Sequence, residues 1–484
     1  MSTHATTTTS SAALAPVKFS RLSRRALLLG LTAGQVMCLA AGVVPFIAAV
    51  YLGAGMLLMV LPWTLVACAV ALVPAGGRFV VDWLPIVAAW TWRRLTGQLE
   101  FNARIDRPRP AGTLALPGRA AALRLVEDPL TGAALVHDPH SATLTVTIPV
   151  SSAGFALQDP ADQARRVAAW GRVLATVCRS GRIAALTVTE RTLPGSGASL
   201  TEWWESSGTD DESLPARIYG ELIERAGPTA ERHETTIALT LDLKAAASAV
   251  RAAGGGLPGA VAVLRQETQT LSTALRTADL TPSPPLDTAA LAVRLRTAYD
   301  PATRPMLERN PAAGRDLAAA GPVGVSETWG QLQSDASWHT TMWIAQWPQT
   351  ATHPGFLAPL ILTSGVQRTL TIRWEPVRAD AAARDLRRKR TSHITEAAQR
   401  AKVGQIDDAT QTAEYDDVLT QEAELAAGHG VLRAIGLITV TAADAEQLEH
   451  DIAAVEQTAI QAGCETRRLW GQQSAGFLAS LAVA

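Results

Sequence analysis

The chain has 484 residues, 43 basic and 44 acidic side chains and a net charge of −1. That length fits roughly three domains of about 150 residues, and the balanced charge excludes the bulk cationic character of a general nucleic-acid coat protein. The hydrophobic share of 48% is high for a wholly soluble chain, and the four cysteines (Cys38, Cys68, Cys178, Cys464) lie too far apart to encode a disulfide framework or a zinc cluster.

Residues 1–25 read as a disordered cytoplasmic N-terminus, rich in Ser, Thr and Ala over its first 16 positions. From Ala26 to Gly77 there are 52 residues without a charge. A spanning helix needs about 20 apolar residues, so the sequence predicts a transmembrane hairpin over 26–77. Its spans are expected at about 26–50 and 56–74, with the turn at Tyr51–Gly55. Gly53, Gly55 and Pro62 argue against one long buried soluble helix, and the length argues against a cleaved signal peptide. Lys18, Arg21, Arg24 and Arg25 precede the run, and Arg78, Arg93 and Arg94 follow it. By the positive-inside rule both termini are expected in the cytoplasm of a plasma (inner) membrane protein with two spans. An interfacial helix is expected over 78–100. There Trp83, Trp90 and Trp92, with Arg93 and Arg94, suit the headgroup layer; a soluble core helix is the other reading. The membrane-interface set is thus Arg24, Arg25, Arg78, Trp83, Trp90, Trp92, Arg93 and Arg94.

The remainder reads as α+β, in two parts: a cytoplasmic domain over 101–330 and a second module over 331–484. Arg107–Pro110 is an extended connector. Strands are expected between Leu123 and Val150, with Ala142–Val150 alternating well. Asp159-Pro160 opens a helix with Asp as cap, which stops at Ser180-Gly181, and Ile183–Thr189 is a strand. Thr235–Asp242 is another strand. Helices follow it, Thr281–Pro285 is a loop, and residues 300–325 form a long excursion. In the second module strands are expected at His339–Trp347 and Thr369–Trp374. Charged helices follow at Ala379–Lys402 and Asp407–Ala427. Val431–Val440 is a strand with Thr441 as the next cap, and Ala443–Ala462 is a helix. The recurrent units predict ferredoxin-like β-α-β modules behind the two-helix hairpin.

A P-loop needs Gly-Lys before Ser or Thr. Lys18, Lys244, Lys389 and Lys402 follow Val17, Leu243, Arg388 and Ala401, so no Walker A motif exists. His137 and His140 have metal-ligand spacing, but Pro139 makes the segment a turn and a polar hairpin tip is the simpler reading. Gly195–Ser199 lacks the final Gly of a nucleophile elbow. The glycines at 254–256 follow a helix, not a strand, so they do not form a dinucleotide fingerprint. Trp203, Trp204, Trp338, Trp343 and Trp347 could stack on a ligand, although aromatics at strand spacing more often build a core. No catalytic residue, cofactor or metal ligand is assigned. The charge pattern says more. Arg384, Arg387, Arg388, Lys389, Arg390, Arg400 and Lys402 stand against only Asp385 and Glu396, whereas Asp407–Glu424 holds seven acidic and no basic residues. Two such helices form a solvated antiparallel pair with matched faces, or a surface that docks another subunit or a nucleic-acid-bound machine. Arg384, Arg387, Arg388, Lys389 and Arg390, with Asp407, Asp408, Asp416 and Asp417, are the partner-binding candidates.

The charge-free hairpin leading into WLPIVAAW and RPRPAGTLALPG, followed by VHDPHSATLTVTIPV and DPADQARRVAAWGRVLATVCRSGRI, resembles an actinobacterial integral-membrane family encoded beside conjugative-element and type IV secretion-like ATPases. The likeness covers nearly the whole chain. The IAQWP strand, FLAPLI, the charged helical pair, AADAEQLEHDI and RRLWGQQSAGFLASL are similar to the N-terminal, non-catalytic half of VirB-type conjugation ATPases. The two spans are similar to the small PrgI-type membrane component, and a weaker likeness is to EccE of type VII secretion. These resemblances imply a non-enzymatic inner-membrane scaffold of a conjugation or secretion apparatus. Its implied partners are the lipid bilayer, a separately encoded P-loop translocation ATPase and other membrane components. Further copies of the chain are an open alternative, and direct nucleic-acid binding is not expected. The rival class is a membrane-anchored enzyme at the inner leaflet, glycosyltransferase- or hydrolase-like, for which His137, Asp138 and His140 are the local candidates. A DNA-contacting coupling component would rest on the Arg patch alone.

Overall fold

The computed structural model describes residues 31–104, 112–114, 116–155, 157–194, 204–205, 213–226, 231–310, 317–348, 352–403, 409–426 and 430–483. The chain forms two compact units: Arg21–Glu100 with Trp470–Gln472, and Phe101–Leu469 with Gln473–Ala484.

In the first unit, α1 (Ala33–Leu52) and α2 (Ala54–Leu72) are separated by the single residue Gly53, whose φ of 110° favours glycine. Both helices are long and apolar enough to cross a membrane, and only 17% and 11% of their apolar windows is buried. A soluble core helix would be mostly covered. Thr32 and Gln35 cap α1 reciprocally. The buried residues of α1 are Gln35, Gly42 and Ala49, at heptad spacing. Gln35 Nε2 donates to the Ala71 carbonyl at 2.9 Å, and a Cβ on Gly42 would lie 2.8 Å from that of Ala67. Cys38 Sγ donates to the Ala67 carbonyl, Trp63 Nε1 to that of Ala41 and Thr64 Oγ1 to that of Gly42, so small residues and side-chain-to-backbone hydrogen bonds hold the helices together, as where lipid offers no hydrophobic drive to association. The hairpin β1 (Pro74–Ala75) and β2 (Arg78–Phe79) leads into α3 (Val80–Leu95).

In the second unit, β3 (Glu100–Asn102) is followed by an architecture that occurs twice. The first copy runs β4 (Arg124–Glu127), β5 (Ala134–Asp138), β6 (Thr143–Ser152), α4 (Pro160–Ser180), β7 (Ile183–Pro194), α5 (Leu214–Ala226), β8 (Glu231–Asp242), α6 (Ala247–Ala252), α7 (Gly256–Thr277) and β9 (Leu280–Pro282). Next come α8 (Thr288–Tyr299) and α9 (Arg304–Arg309). The second copy runs β10 (Gly324–Glu327), β11 (Leu332–Ser334), β12 (Ser337–Gln346), α10 (Ala358–Ile361), β13 (Arg368–Val377), α11 (Ala379–Val403), α12 (Ala409–Ala426), β14 (Val431–Ala442), α13 (Ala445–Gln461) and β15 (Glu465–Arg468). The helix α14 (Gln473–Ser480) closes it.

Within each copy the strands order antiparallel as β7-β8-β6-β9 and β13-β14-β12-β15. This is the ferredoxin-like arrangement expected from the sequence. In both, a preceding hairpin (β4–β5 or β10–β11) extends the edge of the first long strand. The copies join where β7 pairs with β13, antiparallel, from Thr192↔Arg368 to Leu186↔Trp374. Strands β3 to β15 form one 13-stranded sheet.

Strand alternation sorts the two faces. One face carries Leu144, Val146, Leu186, Ile237 and Leu239 under α4 and α7, continued by Met342, Ile344, Leu370, Ile438 and Val440 under α13. The register partners Val188 and Ile372 belong to this face on either side of the seam. The other face is rich in threonine. Cross-strand partners Thr145 and Thr240 lie 3.1 Å apart, Thr341 and Thr439 3.0 Å, and Thr371 and Thr189 3.5 Å at the seam. α8 and α14 cover a second core there, around Leu291, Leu295, Tyr299 and Phe477.

Two sequence expectations are corrected. Leu280–Pro282 is the strand β9, paired with β6, where a loop was expected over Thr281–Pro285; Pro is tolerated there because β9 pairs on one side only. The cap of α13 is Asp444, which accepts from Gln447 N, while Thr441 lies inside β14. Asp159 sits at the cap of α4, but its side chain makes no capping bond.

The β4–β5 turn is tied to α7 by Asp128, which is 2% exposed. Arg265 donates to both of its oxygens at 2.6 and 2.8 Å, and Thr131 and the Leu130 amide complete the shell. The Arg265 hydrogen bond, opposed by burial, holds this carboxyl down at about 2. Its contribution is present above the ordinary carboxylate range and is lost as pH falls through about 2. Asp128→Ala is expected to cost about 3 kcal/mol, because it strands Arg265, and to flatten stability below about pH 4. Chemical unfolding of the detergent-solubilised protein from pH 7 to 2 measures both; an unchanged acid limb would contradict the assignment.

Candidate functional site

The partner-binding candidates lie on the arm formed by α11 and α12, inserted at the β13–β14 tip. Ala382, Leu386 and Val418 supply its buried apolar contacts. Among the described residues one ion pair crosses the two helices, Arg390–Glu422 at 3.1 Å. It is half exposed and contributes roughly 0–1 kcal/mol. Arg384 pairs with Asp380 and Lys389 with Asp385, one turn away on the same helix. Arg387 and Arg388 are exposed and form no ion pair with a described residue, and Asp416 is exposed on α12. Asp407 and Asp408 lie outside the described residues, as does the side chain of Asp417. The arm is thus an antiparallel pair, as one sequence reading had it, yet Arg387 and Arg388 are spent on no described contact within it.

The interfacial candidates are carried by α3, which has no buried residue. Trp83 Nε1 donates to the Ala75 carbonyl at 3.0 Å, and the Arg94 guanidinium sits 5.3 Å from the Trp90 ring. Arg93 donates to the Gly471 carbonyl. Leu84, Val87, Trp92 and Leu95 are exposed beside the half-buried Arg78 of β2. An apolar stripe of this kind with terminal Arg suits a water–lipid boundary. Arg24 and Arg25 lie outside the described residues, as do Arg107–Pro110, Gly195–Ser199 and Trp203.

His137 lies in β5 and His140 in the β5–β6 turn. Asp138 accepts from the His140 amide at 2.8 Å and from Ser141 Oγ at 2.6 Å. Burial raises its carboxyl pKa, but these hydrogen bonds outweigh it and the net direction is down. No three His, Cys, Asp or Glu gather into a metal-ligand set among the described residues. Trp338 and Trp347 pack on the second module's core, with Trp347 against Phe356. Trp204 stacks on Tyr219.

Sequence reading missed two buried polar groups. Arg191, 3% exposed on β7, donates to the Thr297 carbonyl in the last turn of α8 at 3.2 Å. Burial, and then the neighbouring Arg294, press its guanidinium down to about 9. The crevice they line with Thr369 and Ser480 leaves no room for a water molecule, so it is packing and not a pocket. His339, fully buried, lies 2.7 Å from Ser334 Oγ and 2.9 Å from Thr441 Oγ1. This imitates a nucleophile–base pair. The Tyr299 carbonyl, 3.2 Å from Nε2, can only accept, which favours the tautomer with the proton on Nε2. Ser334 itself donates to that carbonyl at 2.6 Å. The cluster pins α8 to the sheet. No local sequence signal announces either group, because each depends on contacts across long stretches of chain.

The apolar hairpin, the amphipathic helix behind it and the doubled ferredoxin-like body define an α+β membrane protein. Residues 229–344 match a family described as "Putative type VII ESX secretion system translocon, EccE". The match runs from just before β8 into β12, covers less than a quarter of the chain and includes neither apolar helix. It supports a membrane component associated with a secretion system. No curated protein matches the chain. The conjugation-type resemblance stands on its sequence motifs alone.

Burial presses the His339 imidazole down to about 4, against the Tyr299 carbonyl, which raises it. A depressed His pKa leaves stability intact above the unfolded value of about 6.5 and removes it as pH falls toward 4. The native protein is therefore expected to lose up to about 3 kcal/mol over that interval. His339→Gln should show a shallower slope, whatever its own cost at pH 7. Equal slopes in denaturant titrations at pH 7, 6 and 5 would refute the assignment.

Proposed function

We propose that this chain is a non-enzymatic, inner-membrane scaffold of a secretion apparatus. Its hairpin anchors it, both termini and the body lie in the cytoplasm, and the body positions a separately encoded P-loop translocation ATPase. It works by binding, and nucleotide turnover belongs to the partner. The observation that carries this reading is the match of residues 229–344 to a secretion translocon family in a chain with its own apolar hairpin. The α11–α12 arm is the proposed contact, because Arg387 and Arg388 are exposed beside Arg390, whose only described partner is the weak pair with Glu422.

The test is affinity capture of the tagged full chain from its own membranes, read by mass spectrometry. Native protein should recover a P-loop ATPase in near-stoichiometric amount. The triple variant Arg387→Glu, Arg388→Glu, Arg390→Glu should lose at least about tenfold of it while remaining in the membrane fraction. Equal recovery by the variant would remove the arm as the contact. Recovery of no ATPase by the native chain would overturn the scaffold reading.

A further inference from the structure

The two ferredoxin-like copies share one sheet, and their helical layers lie on the same face of it. Those layers carry opposite charge. Residues 160–182 and 243–279, which hold α4, α6 and α7, contain nine basic and three acidic side chains. Residues 443–463, which hold α13, contain five acidic side chains and neither Arg nor Lys. The stretch 352–367 around α10 contains none of the four charged types. A chain of net charge −1 therefore sets helical layers of opposite sign on the two sides of its own seam.

The charges that matter are on the outer surfaces. On α4, Ala169, Val173 and Val177 face the core, which turns Arg165, Arg172 and Arg179 outward. They are exposed and seven residues apart, about 10.5 Å per step on one helical stripe. Arg165 is paired with Asp162, whereas Arg172 and Arg179 form no ion pair with a described residue. On α13, Leu448, Ile452, Val455 and Ala459 face the core, which turns Glu446, Glu449 and Glu456 outward. Glu449 is held by Arg468; Glu446 and Glu456 form no ion pair with a described residue. Glu449 and Glu456 repeat the seven-residue step of the arginines. Ile460 adds an apolar contact, 66% exposed at the end of the same stripe.

We infer that this helical face is an interface between two copies of the chain, with α4 of each copy against α13 of the other. The occupant follows from charge complementarity together with the seam. A two-fold axis parallel to the strands above the β7–β13 seam sets the basic layer of each copy over the acidic layer of its partner. One operation satisfies both contacts, which is the isologous closure typical of stable dimers. The parallel alternative, like layer on like layer, is repulsive and is rejected by the same charges. This inference goes beyond the scaffold reading and does not depend on which ATPase, if any, the arm holds.

The experiment uses the full chain in detergent and measures mass by mass photometry across a dilution series. The native protein should dimerise, more weakly as salt rises. The variant Arg172→Glu, Arg179→Glu and the variant Glu446→Arg, Glu456→Arg should each raise the dimer Kd at least about tenfold. Both pairs are exposed, so circular dichroism should show both variants folded; Arg172→Gln, Arg179→Gln is the milder substitute should the first fail to fold. Mixed one to one, the two charge-reversed variants should form a heterodimer, because each contact again joins opposite charges. A native protein that stays monomeric, a dimer indifferent to either reversal, or variants that do not associate on mixing would each overturn the interface.

Discussion

The seven register pairs between β7 and β13 are the constraint on which the rest of the body depends. A ferredoxin-like module presents its second strand as an open edge, and an open edge is a template for unwanted pairing. Here the two such edges close on each other. The pairing also fixes the faces of the whole sheet. With Val188 opposite Ile372 and Thr189 opposite Thr371, every other side chain of both copies is assigned by alternation. A slip of one residue would put the threonines under α4 and the aliphatic side chains under α14.

The threonine face is the less usual consequence. α8 and α14 are short, of 12 and 8 residues, and they bring polar groups with them. Threonine suits such a surface: its branched Cβ fits the strand, and its hydroxyl can pair across the ladder. Thr371 donates to the Ser480 carbonyl at 2.8 Å, and Gln473 accepts from the Thr341 amide at 2.7 Å. The helices are thus placed by hydrogen bonds as well as by Tyr299 and Phe477, whose ring centroids lie 4.9 Å apart.

What was legible in the sequence follows the range of the interactions. The hairpin was legible because absence of charge over 52 residues is a local property; its single-residue break at Gly53 was not, since Gly53 and Gly55 carry the same local signal. Strands β6 and β8 showed themselves by alternation. β10 and β11, of four and three residues, are too short to show a period, and β9 ends in a proline that reads as loop. Thr441 and Asp444 are both good caps by type. Only the fold shows that the Thr441 hydroxyl is taken by His339, 102 residues earlier. Of the site candidates, the charged arm and α3 were readable from their own residues. The charged division of the helical layers was not, because net charge averages over it until the topology says which helices share a face.

The duplication is unequal, and the inequality explains why the body is one unit. Where the first copy has the 21-residue α4, the second has the 4-residue α10. α4 makes up the deficit by reaching across the seam, where Trp170 meets Trp374 of β13 edge-on with centroids 5.7 Å apart. The second copy is therefore incomplete without the first. Both copies nonetheless carry their long insertion at the same place, between their second and third strands. The ladders stay paired to the base of each insertion, at Pro194↔Glu231 and Val377↔Val431. An insertion whose ends are already held together by a hairpin costs little additional loop entropy, so this is where a rigid body can carry binding elements. Because β7 and β13 run antiparallel, the two insertions leave from opposite ends of the sheet. One bears the charged arm; the other bears α5, with Leu214, Ile218 and Leu222 exposed one turn apart. The seam thus holds the two projections apart while leaving the helical face between them open.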